Sequence, residues 1–339
     1  MRNAFASEIT NLAQTDHRVV LLSGDIGNRL FDPYKTLAPD RFINCGVAEA
    51  NMIGMAAGMA MAGLKPIAYT IAPFISTRCL EQIRIDLCYH KLPVVLVGVG
   101  AGLSYASLGA THQALEDLAQ LRTLPGMTVI CPGDAVEVRL ALRAALQLNT
   151  PVYLRLGKKG EPVVHQSPPP FQIGKALLVQ QGRDAAILST GNLLPTALDA
   201  AVILEKMGVS AQVVSFHTVK PLDPTYLDKA FNRFKLIATL EEHSRAGGLG
   251  GAVAEWRCDQ NDIPPHTRLV RFGTPDHFVC DAGSQNHHRK LLGLTPEAIA
   301  QRIVSELANS HIRHNADRPS NPTTDRPETF TLASSRDER

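Results

Sequence analysis

Between Gly46 and Gly63 the chain carries one ionisable side chain, Glu49, in a run otherwise made of Gly, Ala, Val, Met, Ile and Asn. The run reads as a buried helix, with Gly54, Ala57, Gly58 and Ala62 letting another backbone come close. A carboxylate near the start of a buried helix is costly unless it is protonated, paired or hydrogen-bonded. Two readings follow: an acid meeting the free N–H groups of a helix start, or a catalytic carboxyl group. The second candidate is His112, in the stretch 98–117. That stretch leaves a buried strand, crosses a Gly- and Ser-rich loop and is expected to enter a helix at about 111–113. An imidazole there could donate to a substrate oxygen or move a proton near neutral pH. It could equally be a helix-start His bonded to its own backbone.

The elements that must position these groups are legible from the apolar pattern. Runs at 19–23, 67–70, 94–99, 128–131 and 152–156 have strand length and are apolar on both faces. Helical segments at 49–63, 78–89, 115–124 and 135–147 lie between them. Such strands, alternating with helices, predict a parallel sheet covered on both sides, and loops at the carboxyl ends of its strands are where ligands bind. Four prolines (162, 168, 169 and 170) then break the rhythm as a stiff linker. A second α/β set follows, with strands at 185–189, 211–215, 236–241 and 269–271 and helices at 195–207, 224–231 and 248–258. The fold class is therefore α/β, with two doubly wound domains, the second smaller and with a mixed sheet. From about His311 the chain is polar and poor in large apolar groups, the composition of a disordered tail.

Composition narrows the function classes. A chain of 339 residues accommodates about two domains. A net charge of +2, with Lys and Arg scattered, gives no sign of nucleic-acid binding. Six Cys without a C-x-x-C pair read as thiols kept reduced in a cytosol. The N-terminus turns polar too soon for a signal peptide, and the apolar run 52–64 is too short to span a bilayer. A cytoplasmic protein with no membrane partner is expected. Two glycine-containing stretches, 23–28 and 247–251, lack both the dinucleotide fingerprint and a P-loop Lys, and read as turns.

Four motifs in register carry a resemblance. They are Gly46-Val47-Ala48-Glu49-Ala50-Asn51-Met52; the segment from Pro73-Phe74-Ile75 through Arg78 to Glu81-Gln82-Ile83-Arg84; Gly109-Ala110-Thr111-His112-Gln113 with Glu116-Asp117; and Leu124-Pro125-Gly126-Met127-Thr128-Val129. In this order and spacing the chain resembles the C-terminal half of transketolase and, less closely, the matching part of deoxyxylulose-phosphate synthase, from about Arg2 to Leu307. The resemblance implies a thiamine diphosphate pyrimidine-binding domain at 1–157, the linker at 158–172, a transketolase C-terminal domain at 173–310 and the tail at 311–339. It implies thiamine diphosphate as cofactor, with Glu49 hydrogen-bonding N1′ of the aminopyrimidine so that the imino form deprotonates C2 of the thiazolium. Asp25 would lie by the cofactor, and His112 would contact the donor.

The family's diphosphate is held through a metal by a Gly-Asp-Gly motif that this sequence lacks. The resemblance therefore implies a split enzyme. A separate N-terminal, diphosphate-binding transketolase subunit would hold Mg2+ or Ca2+, in an α2β2 assembly acting on small sugars. Departures bear on the substrate. Where the family stacks a Phe on the aminopyrimidine, this chain offers Ile75, with Phe74 one position earlier, and either could cover the ring. Gly100 and Leu108 replace a His and an acid of the family's sugar-binding loop. Arg2 keeps an N-terminal phosphate-binding position, and Arg155, Lys158 and Lys159 supply cations near the later one. These departures point to an unusual ketose or a smaller anionic group. The reading is a transferase moving a two-carbon ketol unit from a ketose to an aldose. The alternatives are a β-subunit of a 2-oxo acid decarboxylase or dehydrogenase, a deoxyxylulose-phosphate-synthase-like enzyme, and a non-catalytic half of such a complex.

Overall fold

A computed structural model describes residues 1–27, 29–158, 160–261 and 267–316, the last seven as backbone only. Six strands lie in the first half: β1 (Val19–Ser23), β2 (Phe42–Asn44), β3 (Lys65–Ile71), β4 (Val95–Val99), β5 (Thr128–Ile130) and β6 (Val152–Leu156). Six follow: β7 (Leu177–Gln180), β8 (Ala185–Ser189), β9 (Ala211–Ser215), β10 (Thr218–Lys220), β11 (Leu236–Ser244) and β12 (Arg268–Thr274). They form a seven-stranded sheet, order β10-β5-β6-β4-β3-β1-β2, and a five-stranded sheet, order β12-β11-β8-β9-β7. All pairings are parallel except at two edges, β10 on β5 and β7 on β9. This is the expected α/β architecture with a mixed second sheet.

Burial on both faces explains why the inner strands are mostly apolar. Along β1, Val20 and Leu22 join one core with Met52, Ile53 and Ala56 of the helix Glu49–Met61. Val19 and Leu21 join another, with Phe5 and Ile9 of the helix Arg2–Thr15. The first of these cores continues through Leu188, Val214 and Phe216 into the second sheet, so the halves share an interior. β10 strengthens the junction. It belongs by sequence to the second half but completes the first sheet, pairing Thr218 with Ile130.

The expected helix at 78–89 is a short turn, Leu80–Gln82, followed by the π-helix Ile83–Tyr89. The wider turn brings Ile83, Leu87 and Cys88 inward together. The Pro-rich stretch has no regular structure but is tied down, since Val164 N–H and His165 N–H both donate to Asp134 Oδ2 at 2.9 Å. The last helix, Pro296–Ala316, runs past the expected start of the tail at 311, because no proline interrupts the sequence before Pro319. The rest of the expected tail, 317–339, lies outside the described residues. Among the described residues, no helix is long and apolar enough to cross a membrane.

Candidate active site

In the seven-stranded sheet the chain leaves β1 for β2 on one side and returns to β3 on the other. The strand order therefore switches at the carboxyl ends of β1 and β3, the crevice position at which doubly wound sheets bind ligands. Glu49 sits in it, the first residue of its helix, with its side chain 1% exposed. Its Oε1 accepts from Thr70 Oγ1 at 3.3 Å, and its Oε2 is 2.5 Å from Nη1 of Arg78. Gly24, just beyond β1, is bare for a steric reason: a Cβ there would lie 2.9 Å from Thr70 Oγ1 and 3.4 Å from Glu49 Cγ. Burial pushes the Cys79 thiol, beside Glu49, up to about 12, so it stays a neutral neighbour.

From Glu49 a chain of contacts runs outward. The Arg78 guanidinium lies 4.4 Å from the centre of the Phe74 ring, and that ring meets His112 edge-on at 5.1 Å. His112 in turn faces Tyr105 at 6.4 Å, and the Tyr105 ring carries Nζ of Lys158 at 4.7 Å. Burial raises the Tyr105 phenol above its ordinary value, and the nearby Arg2 guanidinium partly offsets this. The structure thus groups Glu49, Phe74, His112, Arg2 and Lys158. Asp25 is exposed at the end of β1, in left-handed backbone (φ 57°), and accepts from Asn44 Nδ2 at 2.9 Å. Lys159 lies outside the described residues.

Three expectations are corrected. His112 does not open a helix. Ala114 N–H pairs with the Gly102 carbonyl and closes 102–114 as a loop, so the helix Asp117–Arg122 starts later. Ile75 is fully buried in the core, so of the two candidate ring covers only Phe74 reaches the crevice. Arg155 is not available to a substrate. It is 1% exposed on β6, its Nε and Nη2 bind Asp117 at 2.8 and 3.0 Å, and Nη2 also donates to the carbonyls of Ala114 and Glu242. Burial alone would raise the Asp117 carboxyl, but the Arg155 guanidinium outweighs it and holds it below its ordinary value. Arg155 instead ties the His112 loop to the second domain. Gln113 helps, donating to the Val279 carbonyl at 3.1 Å.

Arg78 and Tyr105 are the residues that sequence reasoning passes over. Arg78 stands four residues after Phe74, a spacing that puts the two side chains on one side of a turn. Tyr105 offered only an aromatic in a Gly-rich loop. Among the described residues no group of three or more His, Cys, Asp or Glu is placed to hold a metal.

Two α/β sheets that share a core, with a buried carboxylate at the switch point of the first, define an α/β protein of the class whose ligands bind at the strand ends. Residues 1–161 match the pyrimidine binding domain of transketolase, and residues 174–299 its C-terminal domain. A putative transketolase C-terminal section of Methanocaldococcus jannaschii is 36% identical over 91% of this chain and 96% of its own length. One subunit of the apulose-4-phosphate transketolase of Phocaeicola vulgatus is 35% identical over 84% of this chain and 90% of its own. A solved structure, a split-gene transketolase described as an inactive beta4 tetramer, superposes with a TM-score of 0.81 at 34% identity, covering 91% of this chain and 97% of that one. The chain belongs to the transketolase family, a family of transferases whose cofactor is thiamine diphosphate.

Proposed function

We propose that this chain is the pyrimidine-binding subunit of a two-chain transketolase that transfers a two-carbon ketol unit from a ketose to an aldose. A separate N-terminal subunit would hold the diphosphate through Mg2+. The similarity to a transketolase section and to a single transketolase subunit, over nearly their whole lengths, supports a partner of that kind. The observation that carries the reading is the setting of Glu49. Its carboxylate is buried, anchored by Thr70, and open on one side to a planar nitrogen donor stacked on Phe74.

The residues fit an aminopyrimidine. The Arg78 guanidinium is flat, delocalised and rich in N–H groups, and it lies between a carboxylate and an aromatic face. A flat heterocycle with ring nitrogens would find the same two partners there, once Arg78, whose side chain is 44% exposed, swings outward. Bound thiamine diphosphate would supply the carbanion chemistry that breaks and re-forms a ketose C–C bond. Glu49 would hold a proton between its Oε2 and the ring nitrogen, in a site with little water to compete. Phe74 would cover the ring. His112, with Nδ1 2.9 Å from Thr111 Oγ1, keeps Nε2 to orient a donor oxygen or pass it a proton. A cytoplasmic location suits this reading.

The test is reconstitution. The chain mixed with its diphosphate-binding partner, thiamine diphosphate and Mg2+ is expected to cleave a ketose, and the chain alone is not. Glu49→Gln in that complex should still bind cofactor, since the amide fills the same space. It should exchange the cofactor C2 proton orders of magnitude more slowly, as followed by NMR after acid quench. Near wild-type exchange in the Gln variant would falsify the role of Glu49.

A further inference from the structure

We propose that Gln113 is the positioning residue that holds His112 in the crevice, by donating its side-chain amide to the Val279 carbonyl of the second domain. The assignment deepens the transketolase reading and rests on it for the role of His112. The two residues are adjacent on the backbone and face different ways. The His112 ring meets Phe74 and Tyr105 on the crevice side. Gln113 is 4% exposed and turned towards the other domain, with Nε2 3.1 Å from the Val279 oxygen, an ordinary hydrogen-bond length. His112 has no such anchor. Among the described residues its ring bonds only to Thr111 Oγ1, itself exposed on the same turn. What fixes Gln113 therefore also limits where the imidazole can stand.

The receiving side is built to stay in place. Val279 is buried with Leu103, Ala106 and Leu115 of the His112 loop in a small apolar cluster of its own. Both ring nitrogens of the buried His288 lie 2.9 Å from backbone carbonyls, those of Asp281 and Ser284, and pin the segment that follows Val279. Two further bonds hold the loop just after Gln113. The Ala114 carbonyl accepts from Arg155 Nη2 at 2.6 Å, and the Leu115 carbonyl accepts from Ser244 N–H at 2.8 Å. Residues 113–115 are thus fastened from behind, and the turn 110–112 reaches forward from that base. An amide suits the first of these fastenings, because it donates without bringing a charge into a buried contact. Through this bond the second domain takes part in the placing of a group that acts in the first.

The experiment has three arms. In the reconstituted complex, Gln113→Met keeps the length of the side chain and removes the donor. Its kcat for ketose cleavage should fall about 10–100-fold, the scale on which misplacing a catalytic group acts, with KM for the donor changed less than about threefold. In a His112→Ala background the same substitution should lower kcat less than about twofold, because its effect runs through the imidazole. An equal loss in both backgrounds, or no loss in either, overturns the proposal. In the second arm, Gln113→Glu restores the donor only when protonated. Burial raises such a carboxyl above the ordinary value of about 4.3, so kcat relative to wild type should rise at least about threefold as pH falls from about 8 to about 5.5. A ratio independent of pH overturns the proposal, and this arm decides the matter where the methionine variant does not fold. The third arm needs no catalysis. In the full chain labelled with 15N-histidine, the His112 ring signals are identified by their loss in His112→Ala. In Gln113→Met they should broaden or split, as those of a ring sampling several positions do, and a single sharp set as in wild type overturns the proposal. Split signals in a chain whose wild-type complex cleaves no ketose overturn the transketolase reading and leave the positioning of His112 standing.

Discussion

Two clusters of charge lie on either side of the His112 loop, and they are built by opposite rules. Behind the loop, at the junction of the two sheets, Asp117, Arg155, Glu241, Glu242 and His243 are all buried. Most of their polar atoms have partners. Arg155 grips Asp117; Glu242 accepts from Asn192 Nδ2 at 2.7 Å and Arg289 Nε at 2.6 Å; Glu241 accepts from the N–H groups of Leu249 and Gly250. In front of the loop, Arg2, Arg78 and Lys158 are partly open to solvent, and only Arg78 has an acid, Glu49. A closed set of pairs specifies one packing of two domains. An open set with surplus cations fixes no such packing and leaves charge facing solvent. The same residue types are thus closed into pairs in one place and left partly open in the other, and the difference lies in pairing and exposure.

That comparison predicts where mutations strike. His112→Ala in the reconstituted complex should lower turnover by about 10²–10⁴, the usual range for an acid–base or orienting group, with the urea midpoint of the chain unchanged. A drop below about threefold with every donor tested would make His112 a loop residue only. Arg155→Met should do the reverse. It leaves the Asp117 carboxylate buried and unpaired, a loss of about 3–5 kcal/mol, read as a lower urea midpoint. A near-neutral result would mean that the junction does not rest on this pair.

The junction also has a pH signature. Burial lowers His243 to about 4, and the neighbouring Asp117 only partly offsets this. Burial raises Glu241 to about 7 despite its two backbone donors. Between about pH 4.5 and 6.5 an unfolded chain protonates the histidine and the folded one does not, so His243 costs stability as pH falls. Over the same window the folded chain keeps a proton on Glu241 that the unfolded chain sheds, so Glu241 adds stability as pH falls. The two contributions oppose each other and should leave the wild-type midpoint nearly flat. His243→Gln should expose the Glu241 contribution, with stability decreasing as pH rises from about 4.5 to 7. Glu241→Gln should expose that of His243, with stability decreasing as pH falls from about 6.5 to 4. Each slope should sum to something on the order of 3 kcal/mol. Equal slopes in both variants would show that neither group is held in the protonation state assigned.

Much of this was legible from the chain itself, and the failures have physical causes. Strands such as β1, β6, β8 and β9 were readable residue by residue, because a strand buried on both faces is mostly an apolar run. β2, β7 and β10 were missed. They are short edge strands, and β10 becomes a strand only by meeting β5 across the domain junction. Glu49 stood out because a lone acid in an apolar run needs an explanation. Arg155 was expected among the cations near a phosphate-binding position, although its place inside the strand Val152–Leu156 already pointed to an internal partner. Its partner Asp117 lies 38 residues away, and no local pattern joins them. Tyr105 was invisible for a similar reason, since its place depends on Gly100 beneath it, and its neighbours Arg2 and Lys158 are brought in from two other parts of the chain.

The smallest expected effect is also the sharpest check on the contrast. Arg155 and Lys158 are near neighbours in sequence, both basic, and both were candidates for the same anion. One is sealed against Asp117, and the other rests its ammonium on the Tyr105 ring and forms no ion pair with an acid among the described residues. Lys158→Ala removes a solvent-reaching charge and one cation–aromatic contact. It should shift stability by no more than about 0.5 kcal/mol, the range of ordinary surface substitutions, in urea unfolding of the cofactor-free chain. Measured beside Arg155→Met, it should give a midpoint close to wild type. A Lys158→Ala loss of the same size as that of Arg155→Met would show that the segment after β6 is held by this lysine. The cations of the crevice would then be as structural as those of the junction, and the distinction between a closed and an open charge cluster would fail here.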